Sequence, residues 1–297
     1  MTDTLPFMAE LTTQINQLPQ RVQAVIGPVP TTSARLLRQR LFNLYPATTD
    51  ARLGVVPELI DLAIALNPPT FHPKPLTVSE VAMTHANAYA AQMVTGRAHQ
   101  LLNQSQLAPA TRQTAEAAIE KIWLGNLDRL TLNFNQRMRA ADYLNDSKSR
   151  FGQLAALTCF LTTRTHQTPA TVTDLTMAIG ESLGVAQAIL DDVQATNQVA
   201  SFQQQLLTGN YTLPILFAVE AEPDYFHRLF NQPSKPTNEQ LITTQAIVLR
   251  SGEKPALEIA AELINQAELD GLGLSDDLVK SQLTGLLTAI MAEVKGE

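Results

Sequence analysis

An all-α helical bundle is what this sequence predicts, and three observations predict it. Nearly every segment places apolar residues at i, i+3, i+4 and i+7, the spacing of one face of a helix. Aromatic residues make up only 5% of the chain, and no run of alternating Val, Ile and Thr marks a sheet. Clusters of proline and glycine cut the sequence into pieces of helix length.

Taken in order, the first apolar stripe covers residues 8–24 and ends at Gly27-Pro28-Val29-Pro30, which cannot continue a helix. A second covers residues 34–45. Residues 58–66 are apolar at Leu59, Leu62, Ala63 and Leu66 and run into Pro68-Pro69. Beyond Pro73 and Pro75, long stripes fill residues 77–102 and 111–133, and a strongly apolar one fills 149–165. Thr171 to Asp174 supply start signals ahead of a helix over 173–193. Stripes at 212–230, 237–250, 255–268 and 276–294 follow, with breaks at Pro233, Pro236 and Gly271 to Gly273. The pattern amounts to about ten helices in one domain, residues 1–297.

With 297 residues, 45% of them hydrophobic and 16% charged, the chain can bury a large core. Its net charge of -7 argues against nucleic acid as a partner, because phosphate binding needs a basic surface. The single cysteine, Cys159, sits in the apolar run Leu154 to Leu161, so no disulfide forms within the chain. Residues 1–20 lack the basic region and apolar block of a secretory signal. No apolar run approaches the ~20 residues of a membrane span, so no transmembrane segment is expected. The expected setting is the cytoplasm, which does not prevent the protein from handling a greasy substrate.

The segment Leu183 to Asp192 carries the most chemistry. Its apolar helical face gives way to two adjacent carboxylates, Asp191 and Asp192, where a core should continue. Buried paired acids are costly to desolvate unless a cation meets them. The usual cation is a hard metal ion such as Mg²⁺, shared with phosphate oxygens. Ala195 stands where an acid one turn on would complete the set, so metal binding by this pair is expected to be weak.

The order of motifs along nearly the whole chain resembles the trans-polyprenyl diphosphate synthases, the family of farnesyl and geranylgeranyl diphosphate synthases. Leu183 to Ala195 resembles Leu-Gly-x-Ala-Phe-Gln-x-x-Asp-Asp-x-x-Asp, with Gln187, Ala188 and Ala195 replacing Phe, Gln and the last Asp. Ser33 to Gln39 resembles Gly-Gly-Lys-x-x-Arg-Pro, with Arg35 for the lysine and Arg38 for the arginine. Glu58 to Leu66 resembles the helix leading to the first aspartate motif, His-Asp-Asp-x-x-Asp. Here that motif is replaced by Asn67-Pro68-Pro69-Thr70-Phe71-His72, and the Arg-Arg-Gly that should follow is missing. Asn87 to Ala98 resembles Ala-Val-Tyr-x-Gly-Asp-Tyr-Leu-Leu-x-Arg-Ala, with Gln92 in an aspartate's place. Gly125-Asn126 resembles Gly-Gln, and Tyr143 to Ser149 resembles a Tyr…Lys-Thr segment with Lys148 as the lysine. Gly209 to Pro214 resembles Gly-Lys-x-Thr-Leu-Pro, with Asn210 for the lysine.

The resemblance implies an isoprenoid synthase-type bundle around a central apolar cavity, usually dimeric. Its relatives join an allylic diphosphate to isopentenyl diphosphate, with magnesium and basic residues neutralising the leaving diphosphate. It implies diphosphate contacts from Arg35, Arg38 and Lys148, and metal contacts from Asp191 and Asp192. Leu59, Ala63, Ile64, Leu66 and Gln187 would form the cavity wall. Arg35 and Arg38 read equally well as surface cations on a basic helix. His72 reads as a loop residue, and no pair of histidines has metal-ligand spacing. Three functions remain open. The first is an elongation-impaired accessory subunit or prenyl-diphosphate binder, as a homodimer or paired with an intact prenyl synthase. The second is an active but divergent prenyltransferase, and the third is a non-catalytic structural or interaction protein.

Overall fold

The regular elements are helices throughout, as the apolar periodicity demands. In this computed structural model, which describes residues 4–45, 50–69 and 75–296, the chain begins with α1 (Thr4–Asn16), α2 (Gln20–Ile26) and α3 (Ser33–Phe42). Next come α4 (Ala51–Leu66), α5 (Val78–Gln104) and α6 (Pro109–Leu132). A short α7 (Ala140–Ser147) passes through a π-helical turn at Lys148–Gly152 into α8 (Gln153–Thr165). The long α9 (Ala170–Asn197) is followed by α10 (Val199–Leu207), α11 (Leu213–Ala221), α12 (Pro223–Asn231), α13 (Asn238–Ser251), α14 (Glu253–Gly271) and α15 (Asp277–Lys295). His72, with Thr70 and Phe71, lies outside the described residues.

The expected all-α class is the one observed, but with more and shorter helices than the stripes indicated. Pro19 divides the first stripe into α1 and α2, and Pro223 opens α12 inside the stripe at 212–230. A proline suits the first turn of a helix, where its missing N–H costs nothing, so an apolar phase can run on across a real break. Helices α7 and α10, of 8 and 9 residues, are too short to have shown a stripe. The prolines at 68 and 69 act as expected: α4 stops at Leu66 and Asn67 caps it.

Helices α8 and α9 run through the centre, and α9 packs against α8 on one side and α14 on the other. Glycines allow the first contact. A Cβ on Gly184 would stand 2.6 Å from the Phe151 carbonyl oxygen, and one on Gly180 2.6 Å from the Cys159 Sγ. One apolar core joins α4, α5, α6 and α8 through residues such as Leu59, Val94, Ile119 and Leu157. The other gathers α9, α11, α13, α14 and α15 around Leu183, Ile189, Ile215, Val248 and Ile264. Cys159 is fully buried, and burial pushes its thiol up to about 12. No described helix is long and apolar enough to cross a membrane.

Candidate functional site

Helix α3 starts at the Thr32 cap and brings Arg35 and Arg38 to one face, where both are only 3% exposed. Their partner is Glu58 of α4, which is fully buried. Arg35 Nε donates to Glu58 Oε2 at 2.9 Å, Arg38 Nε to Oε1 at 2.6 Å, and Arg38 Nη2 to Oε2 at 2.9 Å. Arg38 Nη2 also donates to Asp61 Oδ2 at 2.6 Å. Burial pulls the Arg38 pKa down, and the charges of Asp61 and Glu58 more than offset it, leaving it above its ordinary value. These arginines are neither surface cations nor an open anion site: two carboxylates already match their two charges.

A cavity of about 270 Å³ lies beside this cluster. Helix α4 contributes Asp61, Ile64 and Ala65, and Pro68 and Pro69 follow at its exit. Asn126 and Arg129 come from α6, Tyr143 from α7, Arg150 and Phe151 from the π-turn, Leu154 from α8 and Asp192 from α9. Asn210, in the tight connection after α10, closes the ring. Arg129 Nη1 and Arg150 Nη2 both reach the same oxygen, Asp146 Oδ2, at 3.2 Å each. Arg129 Nη2 also donates to Asn210 Oδ1. Burial raises the Asp146 pKa against the pull of both arginines. Burial lowers the Arg150 pKa, with Arg129 adding to the effect and Asp146 opposing it.

The structure moves the cation on this segment from Lys148 to Arg150. Lys148 has a side chain 59% exposed and pairs with Glu181 at 2.8 Å, away from the cavity. Tyr143, Asp146 and Arg150 stand at i, i+3 and i+7, a single helical face, whereas Lys148 at i+5 falls on another. That spacing was the available signal for Arg150. Arg129 and Asp61 carried a comparable one, as charges interrupting stretches otherwise fit for burial.

Asp191 and Asp192 do not lie at a helix end, because α9 continues to Asn197. Tyr143 Oη donates to Asp192 Oδ2 at 2.7 Å, and Gln187 Nε2 donates to Asp191 Oδ1 at 3.1 Å. Burial pushes Asp192 up to about 7 despite Tyr143, Arg129 and Arg150. Burial also lifts Asp191 to about 6; Gln187 opposes it and the charge of Glu293 adds to it. Across the cavity α4 offers Asp61, which Arg38 already holds. Among the described residues no three His, Cys, Asp or Glu side chains are grouped to hold a metal ion. With Asp191 and Asp192 alone, a magnesium ion would depend on water and ligand phosphate oxygens for its other contacts.

Of the expected cavity wall, Ile64 lines the cavity, joined by Ala65. Leu59 and Ala63 are fully buried in the core instead, and Leu66 packs against that same core. Gln187 is buried and is used in holding Asp191. Helical phase explains the division, since residues 59 and 63 share a face that α5 and α8 cover.

No protein-family model and no curated protein matches the chain. Its fold recurs in solved structures. Geranylgeranyl pyrophosphate synthase from Lactobacillus brevis ATCC 367 has a TM-score of 0.78 at 18% identity, covering 96% of this chain and 95% of that one. The citrate complex of that enzyme gives 0.80 at 20% identity, covering 96% and 94%. A polyprenyl synthase from Caulobacter crescentus CB15, solved with calcium and isoprenyl diphosphate, gives 0.77 at 16% identity, covering 97% and 94%. At these identities the likeness is one of fold: this chain has the isoprenoid-synthase-type helical bundle.

Proposed function

We propose that this chain binds a prenyl diphosphate in the α4–α9 cavity, is impaired in chain elongation on its own, and serves as an accessory subunit to an intact prenyl synthase. One observation carries the reading. Helix α4 ends at Leu66 before two prolines, and among the described residues the acid it offers across the cavity from Asp191 and Asp192 is Asp61, which Arg38 already holds. A clamp with one side cannot neutralise a leaving diphosphate as two would, and losing even one charge-stabilising donor costs ~10²–10³ in rate. The lodging of an isoprenyl diphosphate in the related Caulobacter fold supports the choice of ligand. Exposed Tyr89 and Met93 on α5, and Leu124 and Leu127 on α6, support association with a second subunit, since such side chains gain by being covered.

The test is an elongation assay of the pure protein with Mg²⁺, isopentenyl diphosphate and labelled allylic diphosphates of several lengths. We expect no turnover above background, and robust turnover would sink the reading in favour of an active, divergent prenyltransferase. Repeated with an intact synthase from the same cell, the assay should show a changed rate or product length. An unchanged partner enzyme would remove the accessory role.

A further inference from the structure

We infer that Arg129 and Arg150 form a metal-independent clamp for the anionic head of one phosphate-headed, apolar-tailed ligand per chain. The inference rests on the reading above and specifies how the cavity would hold its ligand. Two guanidiniums on the wall, Arg129 buried and Arg150 partly so, share a single carboxylate oxygen, Asp146 Oδ2, while Asp146 Oδ1 is buried without a partner. The Nε–H of Arg150 is also buried and has no hydrogen-bond partner. Leaving a charged donor unmet in a dry site is expensive, and because the Arg150 side chain lines the cavity, a small turn of its guanidinium would bring it to an entering anion. The guanidinium is held in place by the Phe151 ring, whose centroid lies 4.5 Å from Arg150 Cζ. Arg129 is fixed in turn by Asp146 and Asn210.

The contrast with the other arginine pair sets the stoichiometry. Arg35 and Arg38 face two carboxylates, Glu58 and Asp61, and so have no charge to spare for a second anion. Arg129 and Arg150 hydrogen-bond one shared carboxylate oxygen, and the nearby Asp192 spends its own hydrogen bond on Tyr143. Ile64, Ala65 and Leu154 give the same cavity an apolar side that suits a hydrocarbon tail. A volume of about 270 Å³ lies just below the usual range for ligand sites, ~300–1,000 Å³, and suits one small amphiphile rather than two co-substrates. Guanidinium forks match phosphate oxygens in pairs and remain charged at any working pH. They can thus do for a phosphate head what a carboxylate-bound metal does elsewhere.

The experiment is calorimetric titration of the full chain with geranyl thiolodiphosphate, an uncleavable probe, once in excess EDTA and once in excess Mg²⁺. We expect one site per chain and affinities that agree within about twofold between the two conditions. Arg150→Gln should weaken binding ~10- to 100-fold, the scale of a lost charge-assisted hydrogen-bond pair. Lys148→Ala, on the outer face of the same segment, should leave it unchanged. Binding that appears only with Mg²⁺ would overturn the clamp while leaving the prenyl-diphosphate reading intact. Two sites per chain, or wild-type affinity in a folded Arg150→Gln protein, would overturn it as well. Absence of binding in both conditions would overturn the clamp and the parent reading together. The chelator comparison uses the wild-type chain, so it decides the matter even where the variant fails to fold.

Discussion

Glu58 shows how much one residue can settle. Its carboxylate is fully buried and accepts hydrogen bonds from both Arg35 and Arg38, three in all. Removing one member of such a cluster strands the charges that remain in a place water cannot reach. Glu58→Gln should therefore destabilise the protein by ~3–5 kcal/mol, read as a lowered denaturation midpoint at unchanged slope. A loss below ~1 kcal/mol would mean the arginines find other partners or solvent. The same residue explains why a pair of cations that resembles a diphosphate site is placed as a structural one. Glu58 and Asp61 lie three apart on one face of α4, so both carboxylates meet α3 together.

At the scale of elements, the seam between α8 and α9 positions the cavity. Gly184 lets α9 approach so closely that its missing Cβ would fall 2.6 Å from the Phe151 carbonyl and 2.9 Å from the Ala155 Cβ. Alanine is the better helix former by ~1 kcal/mol, so propensity alone would make Gly184→Ala stabilising. Overpacking opposes it, because the neighbour at 2.6 Å is backbone and cannot swing aside. We expect a net loss of ~1–3 kcal/mol, seen as a lower thermal midpoint, and a stabilised variant would show that the seam can open. The π-turn at Lys148–Gly152 belongs to the same seam. It inserts an extra residue into the helical turn beside α9, and turns of this kind often lie at functional sites.

Across the whole molecule, the acids on α9 couple folding to pH. Asp191 and Asp192 sit at about 6 and about 7 in the folded chain, against about 3.9 for an ordinary aspartate. Between those values the folded state binds more protons than the unfolded one, so stability falls as pH rises. Their contribution is fully present below about pH 4 and is lost as pH rises through the folded values of about 6 and about 7. The urea midpoint should be higher at about pH 5 than at about pH 8, and Asp192→Asn should flatten the difference. A higher midpoint at the alkaline end would contradict burial as the dominant influence on these two groups.

The sequence by itself determined the fold class and the stop at the end of α4. Both are local properties: apolar periodicity reports the helix residue by residue, and prolines block the next turn whatever surrounds them. It also singled out Asp191 and Asp192, because adjacent acids interrupt an apolar face. Which side chains meet in the cavity was decided by the tertiary structure. Arg35 and Arg38 find Glu58 across 20 or more residues of chain, and Arg129 finds Asn210 across 81. Arg150 faces the cavity and Lys148 faces away because the phase of one short turn orients them. Ion pairing over such separations depends on how helices are placed against each other, and no window of sequence contains that placement.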